Sequence, residues 1–216
     1  MKEQVIVIGL GRFGAAVARE IEALGHEVLA VDLDEAAVND VAPDVTHAVQ
    51  LDASDEGALR AAGAADVSTA IVAIAGATEA SIFATVALQE MGVRTIAKAG
   101  GPLHARILAR LGAERVVSPE REAGVRVAHS FTIPGIVDYL AVAPRFGIAR
   151  VVPPAAFVGR ALRELDLQGR LQLTPIALRR ADRVIVNPPR DEIIRDGDEL
   201  VLVGRDDGFA RLGSRA

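Results

Sequence analysis

Along the N-terminal part of the chain, short wholly apolar runs alternate with longer stretches in which apolar residues recur every three or four positions. Residues 70–74 are apolar throughout, which is typical of a central strand in a parallel sheet. Between Phe13 and Leu24 the apolar residues follow helical spacing, and Gly25 is a typical helix stop. Six such strand–helix units predict an α/β fold with a doubly wound parallel sheet. The predicted strands lie near residues 4–8, 27–31, 46–50, 69–74, 93–97 and 115–117, and the predicted helices near 12–24, 35–41, 55–62, 79–91, 103–111 and 119–130.

After about residue 131 the pattern changes to short strands separated by turn signals. Residues 133–135, Ile-Pro-Gly, break the preceding helix, and the Pro-Pro pairs at 153–154 and 188–189 interrupt the later chain. We therefore predict a small α+β domain at 133–216, which follows a first domain at 1–132 whose last helix, 119–132, is the connection. In the second domain, strands are predicted near 137–142, 148–152, 171–178, 183–187 and 199–204, and helices near 159–165 and 206–213.

A glycine-rich motif follows the first predicted strand directly. Gly9, Gly11 and Gly14 form G-x-G-x-x-G, and a second apolar run, 27–31, ends at Asp32, 18 residues past Gly14. In a Rossmann-like fold the first glycine permits the tight turn, the second lets the backbone approach a pyrophosphate, and the third allows close helix–strand packing. The acid would accept hydrogen bonds from ribose hydroxyls and repel a 2′-phosphate. The motif predicts an adenine nucleotide; the alternative is a glycine turn without a ligand.

The other candidate site residues come from the same rule, since ligands of open α/β sheets lie outside the carboxyl ends of the strands. At the end of the third strand, backbone and the Asp52 side chain border the predicted adenine site. At the end of the fourth, residues 74–76 are small enough for a base or ribose to pass. The predicted nucleotide-binding residues are Gly9, Gly11, Arg12, Phe13, Gly14, Asp32, Leu33, Asp52, Ala53, Ile74, Ala75, Gly76, Lys98 and Glu120.

Three charged residues in this set each have two interpretations. Arg12 lies in the first helical turn, where a cation opposes the helix dipole, so either a phosphate or solvent must stabilise it. Lys98 ends the fifth strand and either reaches a phosphate or is a surface lysine. Glu120 follows Ser118-Pro119, an ordinary helix start. Beside a polyphosphate its carboxylate requires a bridging cation such as Mg²⁺.

Composition narrows the class of protein. The chain has 216 residues, 50% of them hydrophobic, and no cysteine, which excludes disulfides, cysteine metal sites and a cysteine nucleophile. The net charge is −5 and there is no basic run, which disfavours nucleic-acid binding. We expect no signal peptide and no membrane-spanning segment. No catalytic constellation is visible, and the scattered histidines are interpreted as structural or surface residues: His26, His47, His104 and His129.

Five segments together resemble the regulatory subunits of Ktr/Trk-type potassium uptake systems. They are the glycine motif at 9–14, Gly-His-Glu-Val-Leu-Ala-Val-Asp at 25–32, Thr-His-Ala-Val at 46–49, Leu-Gly-Ala-Glu-Arg-Val-Val at 111–117 with Pro119-Glu120, and the tail at 193–204. The resemblance covers essentially the whole chain. It implies the RCK architecture, with an N-terminal Rossmann-like lobe (RCK_N) and a C-terminal lobe (RCK_C).

The resemblance also implies a function. Family members are non-enzymatic regulators that form dimers and octameric rings under a membrane-embedded, channel-like subunit of the KtrB or TrkH type. They lie at the cytoplasmic face of the membrane. ATP and ADP exchange changes the partner's conductance, and some members bind NAD(H). By motif match, Arg12 would contact terminal phosphates near the dimer interface, Asp32 the ribose and Lys98 a phosphate. Glu120 would join a cation site beside the γ-phosphate.

A second effector is implied by the same resemblance. Many relatives bind cyclic di-AMP between two C-terminal lobes, and Arg170 and Pro188 match positions used there. The loop after Arg170 is about two residues shorter than in those relatives and lacks a glycine often found there.

Other function classes stay open. An NAD-dependent oxidoreductase needs an acid–base residue in its substrate domain. Residues 133–216 contain no histidine, and Tyr139 is their one tyrosine. An NADH-sensing transcription regulator needs a DNA-binding element, and none is visible. A free-standing ligand-binding module is compatible with every motif.

Overall fold

The computed structural model describes residues 2–74 and 76–214, so the predicted site residue Ala75 lies outside the described residues. The chain divides into two compact units between Pro119 and Glu120. None of the helices in the described ranges is long and apolar enough to cross a bilayer.

The strands are β1 Gln4–Ile8, β2 Glu27–Asp32, β3 His47–Gln50, β4 Thr69–Val72, β5 Arg94–Lys98, β6 Arg115–Val117, β7 Ile136–Ala143, β8 Phe146–Val151, β9 Leu173–Arg180, β10 Arg183–Val186 and β11 Asp198–Arg205. The α-helices are α1 Arg12–Ala23, α2 Glu35–Val41, α3 Glu56–Ala61, α4 Thr78–Glu90, α5 Pro102–Arg110, α6 Pro119–Thr132, α7 Leu162–Leu165, α8 Leu167–Leu171 and α9 Asp206–Gly213.

The first unit is built on a six-stranded parallel sheet with the order β3-β2-β1-β4-β5-β6. This confirms the predicted doubly wound, Rossmann-like sheet. The strand order reverses at β1, which pairs with β2 on one side and with β4 on the other. A crevice therefore forms outside the carboxyl ends of β1 and β4, where ligands of such sheets bind.

Helices cover both faces of this sheet. Successive side chains of β1 point to opposite faces and therefore belong to two separate apolar cores. Ile6 and Ile8 belong to one apolar cluster, with residues of α3, α4 and α5. Val5 and Val7 belong to the other, with residues of α1 and α2. All four side chains are at least nine-tenths buried, which places the start of the glycine motif on a rigid strand.

The second unit is an antiparallel five-stranded sheet with the order β10-β9-β11-β8-β7. Its buried side chains include Leu178, Leu200 and Leu202, which pack in one cluster with residues of α7, α8 and α9. This confirms the predicted small α+β domain. Helix α6 begins at Pro119, and its remaining residues belong to this unit, where Val125 packs against the apolar cluster. The predicted domain boundary between residues 132 and 133 stays a prediction.

Two element predictions in this unit were wrong in detail. The strand predicted from residue 171 begins at Leu173, because residues 167–171 form α8. Asp166 caps that short helix by accepting a hydrogen bond from the Gly169 N–H at 3.2 Å. The helix predicted from residue 159 begins at Leu162, because Ala161 instead forms an antiparallel bridge with Ile193.

Candidate nucleotide site

Two of the three motif glycines are required by the fold itself. Gly9 has φ +93°, and a Cβ built on it would lie 2.8 Å from the Ile74 backbone nitrogen. A Cβ on Gly14 would lie 1.7 Å from the Gly9 carbonyl oxygen. The turn from β1 into α1 therefore folds against the end of β4 only when both positions lack a side chain.

Gly11 differs, since the fold does not need a glycine there. Its backbone is extended, with φ −61° and ψ −179°, which any residue adopts. Among the described residues, no atom beyond its chain neighbours and the helix's own backbone lies within 4 Å of a Cβ built on it, and the residue is exposed. The open space in front of the Gly11 backbone is what close approach of a phosphate requires.

The first turn of α1 is suited to an anion. Gly11 is the N-cap, so no side chain caps the N-terminal N–H groups, and the first turn contains no acidic residue. Helix N-termini in this state carry unsatisfied donors and a partial positive charge. Arg12 is exposed at the same turn and adds a full positive charge there.

Asp32 is held rigidly at the end of β2. Its Oδ2 accepts a hydrogen bond from the Leu10 N–H at 2.5 Å, and its Oδ1 accepts one from the Asp34 N–H at 2.9 Å. Because a carboxylate offers about four acceptor positions, each oxygen retains capacity for a further donor. Two ribose hydroxyls would supply donors of the matching number. The Leu10 contact also ties the acid to the glycine turn.

These elements enclose a cleft of about 320 Å³ at the carboxyl ends of the strands. The volume lies within the range of small-ligand sites, about 300–1,000 Å³. The sequence reasoning missed five lining residues, although Ala77 and Ala80 could have been found as the small residues that follow β4. Predicted residues that line the cleft are Gly9, Gly11, Asp32, Leu33, Asp52, Ala53 and Ile74, and the residues missed are Ile8, Leu51, Ala73, Ala77 and Ala80.

Asp52 is oriented by a tight turn at the end of β3. Its Oδ1 accepts hydrogen bonds from the Ser54 N–H at 2.9 Å and from the Ser54 hydroxyl at 2.5 Å. These bonds lower the pKa of Asp52, so the carboxylate is charged near neutral pH. The two residues that flank Asp52 in the lining, Leu51 and Ala53, are apolar.

Lys98 is buried, with 7% of its surface exposed, so the interpretation as a surface lysine was wrong. Its Nζ lies 5.8 Å from the centroid of the Phe13 ring, over the second residue of α1. A contact of this kind between an ammonium group and an aromatic face is favourable. It places the positive charge at the end of β5 beside the first turn of α1.

The sequence matches two families over most of its length, the TrkA-N domain over residues 5–119 and the TrkA-C domain over residues 147–215. It is 35% identical over 216 residues to Ktr system potassium uptake protein C of Bacillus subtilis strain 168, covering 100% of this chain and 98% of that protein. The chain belongs to the Ktr/TrkA family of potassium uptake proteins. Ktr system potassium uptake protein A of the same organism is 32% identical over 97% of this chain and 95% of that protein. The Vibrio alginolyticus protein of that name is 30% identical over 96% and 95%.

Solved structures show the same fold. The GsuK RCK domain superposes with a TM-score of 0.69 and 18% identity over 100% of this chain, which spans 48% of that one. The NAD(P)-binding domain of an exopolyphosphatase-related protein from Archaeoglobus fulgidus gives a TM-score of 0.51 and 26% identity, over 57% of this chain and 93% of that one. The RCK architecture implied by the family resemblance is thus confirmed.

The remaining predicted residues of this Ktr/TrkA family member are not among the described residues that line the cleft. Gly76 is exposed and is not among the described residues that line it. Glu120 is the second residue of α6 and begins the second unit, and no group of three or more His, Cys, Asp or Glu in the described ranges could hold a metal. Arg170 is exposed on α8, whereas Pro188 lines a separate cavity of about 410 Å³ in the second unit.

Proposed function

We propose that this chain is the nucleotide-binding regulatory subunit of a potassium uptake system and not an enzyme. ATP and ADP exchange in the cleft would change the conductance of a membrane-embedded, channel-like partner of the KtrB or TrkH type. The observation that carries the proposal is the open space at Gly11, a glycine that the fold does not require, next to the rigidly held Asp32. The part of the proposal that concerns potassium uptake is supported by the homology to Ktr potassium uptake proteins.

The cleft suggests how the nucleotide would bind. Its pyrophosphate would lie against the Gly11 backbone and the N-terminus of α1, where donors and the helix dipole favour an anion. Asp32 would accept the ribose hydroxyls. The apolar surface at Ala53 and Ile74 would hold the base. NAD(H) shares the adenosine and pyrophosphate and is the alternative ligand, as an NAD(P)-binding domain is among the structural relatives.

The proposed function also includes an oligomeric state and a membrane partner. We expect dimers that form an octameric ring at the cytoplasmic face of the membrane, held there through the channel-like partner, with no nucleic acid bound. Light scattering of the purified protein measures the mass of the ring.

Cyclic di-AMP at Arg170 and Pro188 is proposed as a second effector. Its test is a titration of the wild type and of Arg170→Ala.

Titration calorimetry with ATP, ADP and NADH, each with and without Mg²⁺, tests the ligand. Tight ATP and ADP binding, with an ATP affinity that depends on the cation, supports the proposal. Binding of NADH alone contradicts it and favours an NAD-dependent oxidoreductase or an NADH-sensing regulator.

Arg12→Ala should narrow the difference between the ATP and ADP affinities. A nucleotide shifts a conformational equilibrium only by its differential affinity for the two states. The γ-phosphate is the group that distinguishes ATP from ADP, and Arg12 is the residue proposed to contact it. We expect ATP affinity to fall about tenfold and ADP affinity by less than about threefold. The matched control is Arg106→Ala, which removes an exposed arginine from α5. Equal losses for both nucleotides would contradict a γ-phosphate role for Arg12.

Glu120→Gln should reduce the effect of Mg²⁺ on ATP binding. The carboxylate is a hard oxygen ligand of the kind that Mg²⁺ takes together with nucleotide phosphates. Titrations of ATP with and without Mg²⁺ should show an enhancement that is about tenfold smaller in the variant than in the wild type. Glu122→Gln, two residues along the first turn of α6, is the control because it removes the same charge. If both variants keep the wild-type enhancement, Glu120 does not hold the cation.

A further inference from the structure

The turn between β5 and α5 is fixed by hydrogen bonds from two consecutive backbone N–H groups, those of Ala99 and Gly100. The Ala99 N–H donates to the Val117 carbonyl of β6 at 2.9 Å. The next N–H, that of Gly100, donates to Nδ1 of His104 at 3.2 Å. Gly101 is the N-cap of α5 and has no side chain to cap the helix, and Pro102 has no N–H. His104 therefore supplies a side-chain acceptor within this turn.

The position of His104 explains this contact. It is the third residue of α5, and its side chain reaches back over the helix start, as an N3 acid does in a capping box. Burial lowers the pKa of His104, so the imidazole is neutral near pH 7. Because Nδ1 accepts the Gly100 hydrogen bond, the ring proton resides on Nε2.

Packing alone does not account for a histidine at this position. His104 is 8% exposed, and its Nε2 is buried without a hydrogen-bond partner among the described residues. A buried donor without an acceptor destabilises the fold, whereas a leucine of similar volume would fill the space without that cost. What the imidazole adds over a leucine is the acceptor for Gly100.

The turn that His104 fixes leads directly from the end of β5, where Lys98 lies. Lys98 precedes Gly100 by two residues, and its Nζ lies against the Phe13 ring at the first turn of α1. A displacement of the turn would therefore move the ammonium group relative to the α1 N-terminus. The Coulomb energy between the ammonium group and a phosphate varies inversely with their separation, and it is screened less in a partly buried site than in water.

We propose that His104 is a positioning residue of the nucleotide site, which fixes the Gly100 turn and through it the Lys98 ammonium group. This inference rests on the proposed nucleotide binding. It assigns a function to a histidine that the sequence alone indicated to be a structural or surface residue.

Two variants separate positioning from packing. His104→Leu keeps the volume and removes the acceptor, whereas the side-chain oxygen of His104→Gln can still accept the Gly100 N–H. By calorimetry we expect His104→Leu to weaken ATP binding about tenfold and His104→Gln by less than about threefold. Amide exchange at Gly100 should be faster than wild type in the leucine variant alone. Thermal unfolding shows whether each variant remains folded at the temperature of the titration.

Two further variants, Lys98→Ala and its combination with His104→Leu, test whether His104 acts through Lys98. In the background of Lys98→Ala, the further change His104→Leu should alter ATP affinity by less than about threefold, since the two residues would contribute to one interaction. Additive losses would overturn the proposal, as would wild-type affinity in His104→Leu or equal losses in the leucine and glutamine variants. If the wild type binds no nucleotide, the proposed function itself fails. If it binds and His104→Leu binds equally well, only the positioning role fails.

Discussion

Gly14→Ala should destabilise the first unit severely, whereas Gly11→Ala should leave its stability unchanged and weaken nucleotide binding. The two glycines lie three residues apart in one motif, but the fold places them differently. A Cβ at position 14 would lie 1.7 Å from the Gly9 carbonyl oxygen, which is backbone and cannot rotate away. A Cβ at position 11 meets no atom within 4 Å in the part of the chain that the structure describes, its chain neighbours and the helix backbone aside. The fold therefore requires Gly14 in the absence of any ligand. At position 11 the fold does not require glycine, and only the proposed nucleotide would.

Thermal or denaturant unfolding without nucleotide measures the first effect. Gly14→Ala must displace α1 from β1, for which we expect about 3 kcal/mol or more. Gly11→Ala should change the free energy of unfolding by less than about 0.5 kcal/mol. In calorimetry its ATP and ADP affinities should both fall at least about tenfold, because the methyl group occupies the space for the pyrophosphate. Wild-type nucleotide affinity in Gly11→Ala would show that no phosphate approaches this backbone, which would contradict the proposed site.

The sequence predicted the cleft well because the rule that locates it is topological. Once β1 to β4 are recognised as parallel strands, their carboxyl ends must lie at one edge, and Asp32, Asp52 and Ile74 follow from position alone. The burial of Lys98 could not be predicted in this way. It depends on the packing of β5 beside α1, which are distant in the sequence, and a strand-end lysine has the same local pattern whether exposed or buried.

His104 was missed for a related reason. A lone histidine in a helical pattern carries no spacing signal, and its acceptor role appears only when the Gly100 N–H is seen to point at Nδ1. The start of β9 was misplaced because α8 is held by Asp166 in a left-handed conformation, with φ 45°. Such backbone conformations are uncommon for residues other than glycine, so the sequence favours an extended start for this segment.

The central ion pair of the second unit also depends on strand register. Asp198 of β11 lies opposite Arg180 of β9, and both its carboxylate oxygens accept hydrogen bonds from that guanidinium at 2.8 Å. Oδ2 also accepts the Arg195 N–H at 2.8 Å. Asp198 is 1% exposed, so its charge is compensated by these donors rather than by water. Eighteen residues separate the pair in the chain, and neither residue alone indicates the contact.

Asp198→Ala should destabilise the second unit by about 3 kcal/mol, since it removes the acceptor of two Arg180 hydrogen bonds and of the Arg195 N–H and leaves Arg180 with only Glu192 and the Ile193 carbonyl among the described residues. Hydrogen bonds from Arg180 lower the pKa of Asp198 below its value in the unfolded chain. The stabilisation is therefore complete above the unfolded pKa of about 3.9 and is lost as the pH falls through the lower pKa of the folded state. Unfolding of the wild type should show this loss below about pH 4, and Asp198→Asn should show a flatter pH dependence over the same range. The exposed Asp196→Asn is the matched control and should retain the wild-type profile. An unchanged stability in Asp198→Ala would mean that the apolar cluster holds β9 and β11 together without the ion pair.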